Sequence, residues 1–167
     1  MWTLTDGWAT FTGDSFGQPV YFRNSGLNTH LGYYEVDFWM TTDGSDNWAS
    51  FMACWGTADN AYTTDGYGFL IRGAGAASGS LQVSPYTATS STPSTYTLPN
   101  NPNSNSNYVT LGIHVKDSTN VDFYVNRALV LETVQPDKSA NRNVAIGSYF
   151  GLNARFRNLK IYDALPF

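Results

Sequence analysis

Residues Tyr108–Asn126 read YVTLGIHVKDSTNVDFYVN, and their pattern decides the fold. Val109, Leu111, Ile113 and Val115 alternate with Thr110, Gly112, His114 and Lys116. The turn formers Asp117-Ser118-Thr119-Asn120 interrupt the run, and Val121, Phe123 and Val125 then alternate with Asp122, Tyr124 and Asn126. A period of two gives each strand one buried face and one wet face. Asx and Ser residues in the gap favour a tight reversal over a helix. The stretch is therefore an antiparallel hairpin. A lone hairpin is marginal in water, so further strands must cover its Val/Leu/Ile/Phe face.

Those strands are found on both sides of it. Tyr34–Thr42 alternates, with Val36, Phe38 and Met40 on one face and Glu35, Asp37, Trp39 and Thr41 on the other. Trp48–Gly56 is apolar on both faces, as a covered central strand is. Tyr67–Arg72 reads as another strand, and Val20–Arg23, Leu81–Pro85 and Tyr96–Leu98 as shorter or weaker ones. After the hairpin, Asn126-Arg127 turns the chain into Ala128–Leu131. Val144–Tyr149 and Phe156–Tyr162 complete the set, with Leu159 and Ile161 pointing one way. The Ser/Thr/Pro/Asn-rich segment Ala88–Asn107 is a long surface loop, because neither half of the chain holds enough strands to close a core alone. Nine or more strands, turn signals every ~8–12 residues and no convincing helix predict an all-β, two-sheet antiparallel sandwich spanning residues 1–167 as one domain.

Composition narrows the partners. Only 13% of residues are charged, and the formal net charge is -4. Such a surface does not track phosphates, so nucleic acid is excluded as a partner. Aromatics make up 16% of the chain, more than a core needs, which predicts some on a binding surface. Cys54 is the single cysteine and sits in an apolar run, so no intrachain disulfide forms and a small buried side chain is expected. The start MWTLTDGW lacks the charged and apolar regions of a signal peptide. No apolar run reaches the roughly 20 residues that span a bilayer, so membrane insertion is not expected.

Five segments stand out together: VDFYVNRALV (121–130), NVAIG (143–147), ARFRNLKIYDA (154–164), DGYGFLIR (65–72) and YEVDFWM (34–40). They resemble strands of the concanavalin A-like lectin/glucanase superfamily. The resemblance implies a jelly roll. It does not select a function, because the superfamily holds lectins, glycanases, lyases and fibre heads. Arg127 stands where the turn of that pattern usually has glycine, which predicts a different turn geometry. In style the chain is similar to carbohydrate-binding modules of phage tail and baseplate proteins. That resemblance implies synthesis in a bacterial cytoplasm without a signal peptide and a place on a virion tail or other extracellular surface.

Trp39 is the first candidate for a saccharide site, flanked on its face by Asp37 and Glu35. An indole covers the apolar face of a sugar while carboxylates accept from its hydroxyls. His114 joins them if its strand shares their sheet. Arg72 offers five fixed donors, and Trp48, Trp55 and Tyr62 flank loops that rim a groove. Asp43, Ser45, Asp46 and Asn47 form an oxygen-rich loop that suits Ca2+ in ligand type but not in EF-hand spacing. The acids Asp59 and Asp65, with Asn60, are similar. No other cofactor is implied.

Retaining glycanases of the superfamily carry E-x-D-x-E on one strand, with nucleophile and acid/base roughly 5 Å apart. Here Glu35-Val36-Asp37-Phe38-Trp39 has tryptophan at the third acid position, and the other glutamate, Glu132, is remote in sequence. Neither a G-x-S-x-G elbow nor a phosphate loop is present. The sequence thus predicts a non-catalytic module for a bacterial cell-wall saccharide, working within a larger multimeric tail or surface protein. A structural sandwich of a fibre or capsid, and a glycan hydrolase or lyase, are the alternatives.

Overall fold

The computed structural model describes residues 2–11, 20–24, 31–40, 48–55, 66–73, 81–86, 96–98, 102–104, 106–138, 143–149 and 154–167. Among them every regular element is a strand. In chain order these are β1 (Trp2–Thr5), β2 (Trp8–Phe11), β3 (Val20–Asn24), β4 (Gly32–Met40), β5 (Trp48–Trp55), β6 (Tyr67–Gly73), β7 (Leu81–Tyr86), β8 (Tyr96–Thr97), β9 (Val109–Val115), β10 (Asn120–Val125), β11 (Ala128–Val134), β12 (Asn143–Tyr149) and β13 (Ala154–Tyr162). The hairpin is β9–β10, paired from Val115↔Val121 to Leu111↔Val125. Asp117 holds its turn, with Oδ1 accepting from the Thr119 and Asn120 amides, both at 2.8 Å.

Two antiparallel sheets face each other. One runs β1-β2-β13-β4-β9-β10-β11, the other β3-β12-β5-β6-β7-β8. The apolar faces meet in a core that includes Tyr34, Val36, Phe38 and Met40 from β4, Phe51 from β5, Tyr67, Phe69 and Ile71 from β6, and Leu111, Ile113, Val121 and Phe123 from the hairpin. Cys54 lies in that core, where burial pushes its thiol up to about 12. Tyr67 crosses it. Its hydroxyl accepts from the Lys138 amide at 2.8 Å and lies 3.3 Å and 3.2 Å from the Ser118 and Pro136 carbonyls. One phenol thus ties the six-stranded sheet to the turn end of the hairpin. No helix among the described residues is long and apolar enough to cross a membrane.

Two local expectations need correction, and one strand carries an unforeseen bulge. The outer face of the seven-stranded sheet is not wet at its centre, since Glu35, Asp37, Asp122 and Tyr124 are all buried. The bulge lies in β13. The β13 register against β4 slips between Arg157 and Lys160, where Asn158 adopts φ 53. This bulge leaves Leu159 exposed while Ile161 packs on the core. It also returns Arg157 and Lys160 to one face, opposite Asp37 and Glu35. Finally, the Asn126-Arg127 turn keeps the geometry expected of glycine. The two residues have φ 50 and φ 64, as in a primed hairpin turn.

Candidate functional site

Glu35, Asp37 and Trp39 do share the face of β4 that points away from the core, but each is occupied from within the protein. The Glu35 carboxylate accepts from Arg127 through Nε at 3.0 Å and Nη2 at 3.1 Å, with Lys160 Nζ at 3.9 Å. Asp37 accepts from the Thr110 hydroxyl and from Asn158 Nδ2, both at 2.9 Å, and Arg157 Nε lies 3.5 Å away. The Glu35 carboxylate beside it raises the Arg127 guanidinium above its ordinary value.

Trp39 is only 6% exposed. The Arg155 guanidinium covers its ring at 4.4 Å, and Trp8 meets its edge at 6.1 Å. Arg157 stacks on Trp8 at 4.1 Å and on Tyr108 at 4.6 Å. The expected open platform is therefore a second packed layer of alternating arginine and aromatic rings. Tyr33 closes the next part of the face, edge-on to Tyr124, His114 and Phe167. Burial, followed by the Glu35 charge, raises its phenol above the ordinary tyrosine value.

His114 lies on this sheet and this face, but it pairs with Tyr33 and not with Trp39. Six residues of strand, roughly 20 Å, separate it from the indole, so the two do not form one site. Burial holds its imidazole below the ordinary value, against the opposing pull of Asp122.

Trp48, Arg72 and Trp55 belong to the other sheet. Trp48 pairs with Arg72 across β5 and β6, and Trp55 ends β5 opposite Asn143. Their side chains, and all of Tyr62, Asp43, Ser45, Asp46, Asn47, Asp59, Asn60 and Asp65, lie outside the described residues. The ladder continues from Trp48–Arg72 through Ser50–Leu70 and Met52–Gly68, the positions alternate to the core set. Across β12, Ser50 pairs with Gly147 and Met52 with Ala145. On this ladder Ser50, Met52 and Ala145 are buried and Leu70 is half-buried, with small residues at Ser50, Gly68, Ala145 and Gly147. Among the described residues, no group of three or more His, Cys, Asp or Glu side chains converges as a metal ion requires.

The sequence reading missed Arg127, Arg155, Arg157, Trp8, Tyr33 and Asn158 as the partners of the β4 face. One signal was present: Arg155 and Arg157 sit two apart, as Trp39 and Asp37 do, and they pair with those two residues across the strands.

No family model matches the chain, and no curated protein matches it in sequence. Solved structures do match in shape. The carbohydrate-binding module CBM66 from Bacillus subtilis is 14% identical with a TM-score of 0.57, covering 92% of this chain and 93% of that one. Bacillus licheniformis β-glucanase is 12% identical with a TM-score of 0.60, covering 95% and 94%. The galectin LEC-6 of Caenorhabditis elegans is 14% identical with a TM-score of 0.51, covering 90% and 99%. The fold is a concanavalin A-like jelly roll. These likenesses join enzymes and lectins alike, so for this jelly roll they establish architecture alone.

Proposed function

We propose that this jelly roll is a non-catalytic carbohydrate-binding module that recognises a bacterial cell-wall saccharide. It would serve on a phage tail or another surface-attaching protein. The observation that carries the reading is the nearly end-to-end likeness to a carbohydrate-binding module of similar extent. The state of the acidic strand supports the non-catalytic part. A glycosidase needs one carboxyl to give a proton and another to attack the sugar or activate water. Glu35 has both oxygens on Arg127, and Asp37 divides its oxygens between Thr110 and Asn158. The saccharide site of this proposal lies on the six-stranded sheet, at the Trp48–Arg72 pair that ends the ladder. One such module binds weakly, and linked copies on a particle raise avidity by roughly 10²–10⁴.

The test is labelling of intact bacteria of several species with fluorescent protein, with free monosaccharides as competitors. Strain-specific labelling that one sugar abolishes, and that Trp48→Ala and Arg72→Gln weaken, is the expected result. Labelling of no cell overturns the reading. Release of reducing ends from cell-wall polysaccharide overturns its non-catalytic part.

One observation favours a structural role instead. Edge strand β11 exposes Leu129 and Val134, at 50% and 69%, and unpaired edges with apolar side chains invite pairing with another chain. Under that reading the protein is oligomeric by light scattering, and Val134→Lys makes it monomeric.

A further inference from the structure

The outer face of the seven-stranded sheet holds polar atoms that its own packing leaves unspent. Thr10, Arg155 and Trp39 are direct cross-strand neighbours on β2, β13 and β4. Among the described residues, Thr10 Oγ1, Arg155 Nε and Trp39 Nε1 are each sealed from solvent without a hydrogen-bond partner, and so are Trp8 Nε1 and Arg157 Nε beside them. Trp8, Thr10 and Trp39 are 1%, 4% and 6% exposed. Buried polar atoms nearly always find partners, and leaving one unmade is costly. Five orphans in one patch therefore call for a shared explanation. Four are N–H donors and the fifth is a hydroxyl that can donate, so what the patch lacks is an acceptor.

The local charge says which kind. Arg155 has no acidic partner among the described residues. Arg157 reaches Asp37 only at 3.5 Å, while Asp37 is already bonded to Thr110 and Asn158. Among the described residues the patch thus carries an unmatched positive charge. The Arg155 guanidinium occupies the face of the Trp39 indole, the place where the apolar face of a sugar ring packs. At its rim Tyr108 is 41% exposed.

We propose that this row is a second ligand site, for an anionic group carried on a saccharide, either a carboxylate or a phosphate. The inference rests on the carbohydrate-binding reading but uses the opposite sheet. On binding, the Arg155 guanidinium leaves the indole and forks onto the anion. The sugar ring takes its place on Trp39. The Trp8 and Trp39 N–H groups and the Thr10 hydroxyl then donate to ligand oxygens.

The experiment follows the indole N–H resonances of the five tryptophans, with Trp8→Phe and Trp39→Phe to assign two of them. Glucuronate, glucose 6-phosphate and glucose are titrated separately. The expected result is a downfield shift of both assigned resonances with at least one acid, and glucose binding about tenfold weaker or not at all. Whichever acid binds identifies the anion. Arg155→Gln is expected to weaken that affinity by about tenfold and Thr10→Val by about threefold, with Thr10→Val melting no lower than wild type. The proposal is overturned if neither acid moves the two resonances, or if both variants titrate like wild type. Cell labelling through Trp48 and Arg72 is measured on the same variants. Labelling that persists while the acids fail removes this site alone. Labelling that fails while the acids bind removes the six-stranded-sheet site alone.

Discussion

Arg127 and Glu35, 92 residues apart in sequence, are joined by two hydrogen bonds of 3.0 Å and 3.1 Å. The arginine makes them from a backbone conformation that L residues avoid, with φ 64. A Cβ in the left-handed region costs about 1–2 kcal/mol, which glycine escapes. The two substitutions therefore separate strain from pairing. Arg127→Gly loses the fork and relieves the strain, whereas Arg127→Ala loses the fork and keeps the strain. Both are expected to unfold at a lower urea midpoint than wild type, because buried Glu35 is left with Lys160 at 3.9 Å. Arg127→Gly is expected to be the more stable of the two. The reverse order would show that the turn is not strained.

Gly112 faces the same side as Glu35, and Tyr33 lies across it. A Cβ there would meet the Tyr33 hydroxyl and would lie 2.6 Å from Cζ. Tyr33 is fully buried and has no room to yield. Gly112→Ala is expected to cost about 1–3 kcal/mol, the usual range for an overfilled site. Tyr33→Phe should not restore stability, since Cζ remains in the way, but Tyr33→Leu should recover part of it in the Gly112→Ala background. Urea unfolding of these three variants beside wild type decides it, and full rescue by Phe would refute the packing argument.

The hairpin was legible because period-two alternation depends only on neighbours in sequence, and Val109 to Val115 and Val121 to Val125 both obey it. The same rule assigned Glu35, Asp37 and Trp39 correctly to the face away from the core. It gave no information on what lies over that face, because Arg127, Arg155 and Asn158 come from far along the chain. Alternation separates two sides of a strand, but whether the second side meets water depends on tertiary partners. The β13 bulge was hidden for a related reason. Asn158 enters the left-handed region without a glycine to mark it, and its amide is held there by Asp37, 121 residues earlier. Trp48, Trp55 and Arg72 were picked out singly, but no local pattern placed them on the sheet opposite Trp39.

Trp39 is a packing residue in the free protein, whatever it binds. Removing its side chain leaves Arg155 without its ring and Trp8 without its edge partner. Trp39→Ala is expected to destabilise the fold by about 3–5 kcal/mol, as large-to-small changes at buried aromatics do. Trp39→Phe, which keeps a ring under Arg155, should cost distinctly less. Chemical denaturation measures both. A Trp39→Ala variant as stable as wild type would mean that this layer contributes nothing to the fold.

Stability should fall at both ends of the pH scale, for groups that can be named. Hydrogen bonds from the Thr119 amide and from Asn120 hold the Asp117 carboxyl at about 2, against an ordinary 3.8. Its folded value is depressed, so its contribution is present above 3.8 and disappears as pH falls towards 2. At the alkaline end, burial pushes the Cys54 thiol from 9.0 up to about 12 and the Tyr67 hydroxyl from 10.0 up to about 12. These folded values are raised, so the unfolded chain releases protons that the native chain keeps. Their contribution is complete below 9 and is lost as pH climbs through 12. The urea midpoint should therefore hold level from about pH 6.5, below which the unfolded His114 imidazole takes up a proton that the folded one resists, up to 9, and drop steeply above 9. Cys54→Ala should delay the onset of that drop to about pH 10, where Tyr67 begins to titrate in the unfolded chain. Asp117→Asn should shallow the acid limb. A midpoint that stays constant from pH 9 to 12 would show that neither group is shielded in the core as the packing requires.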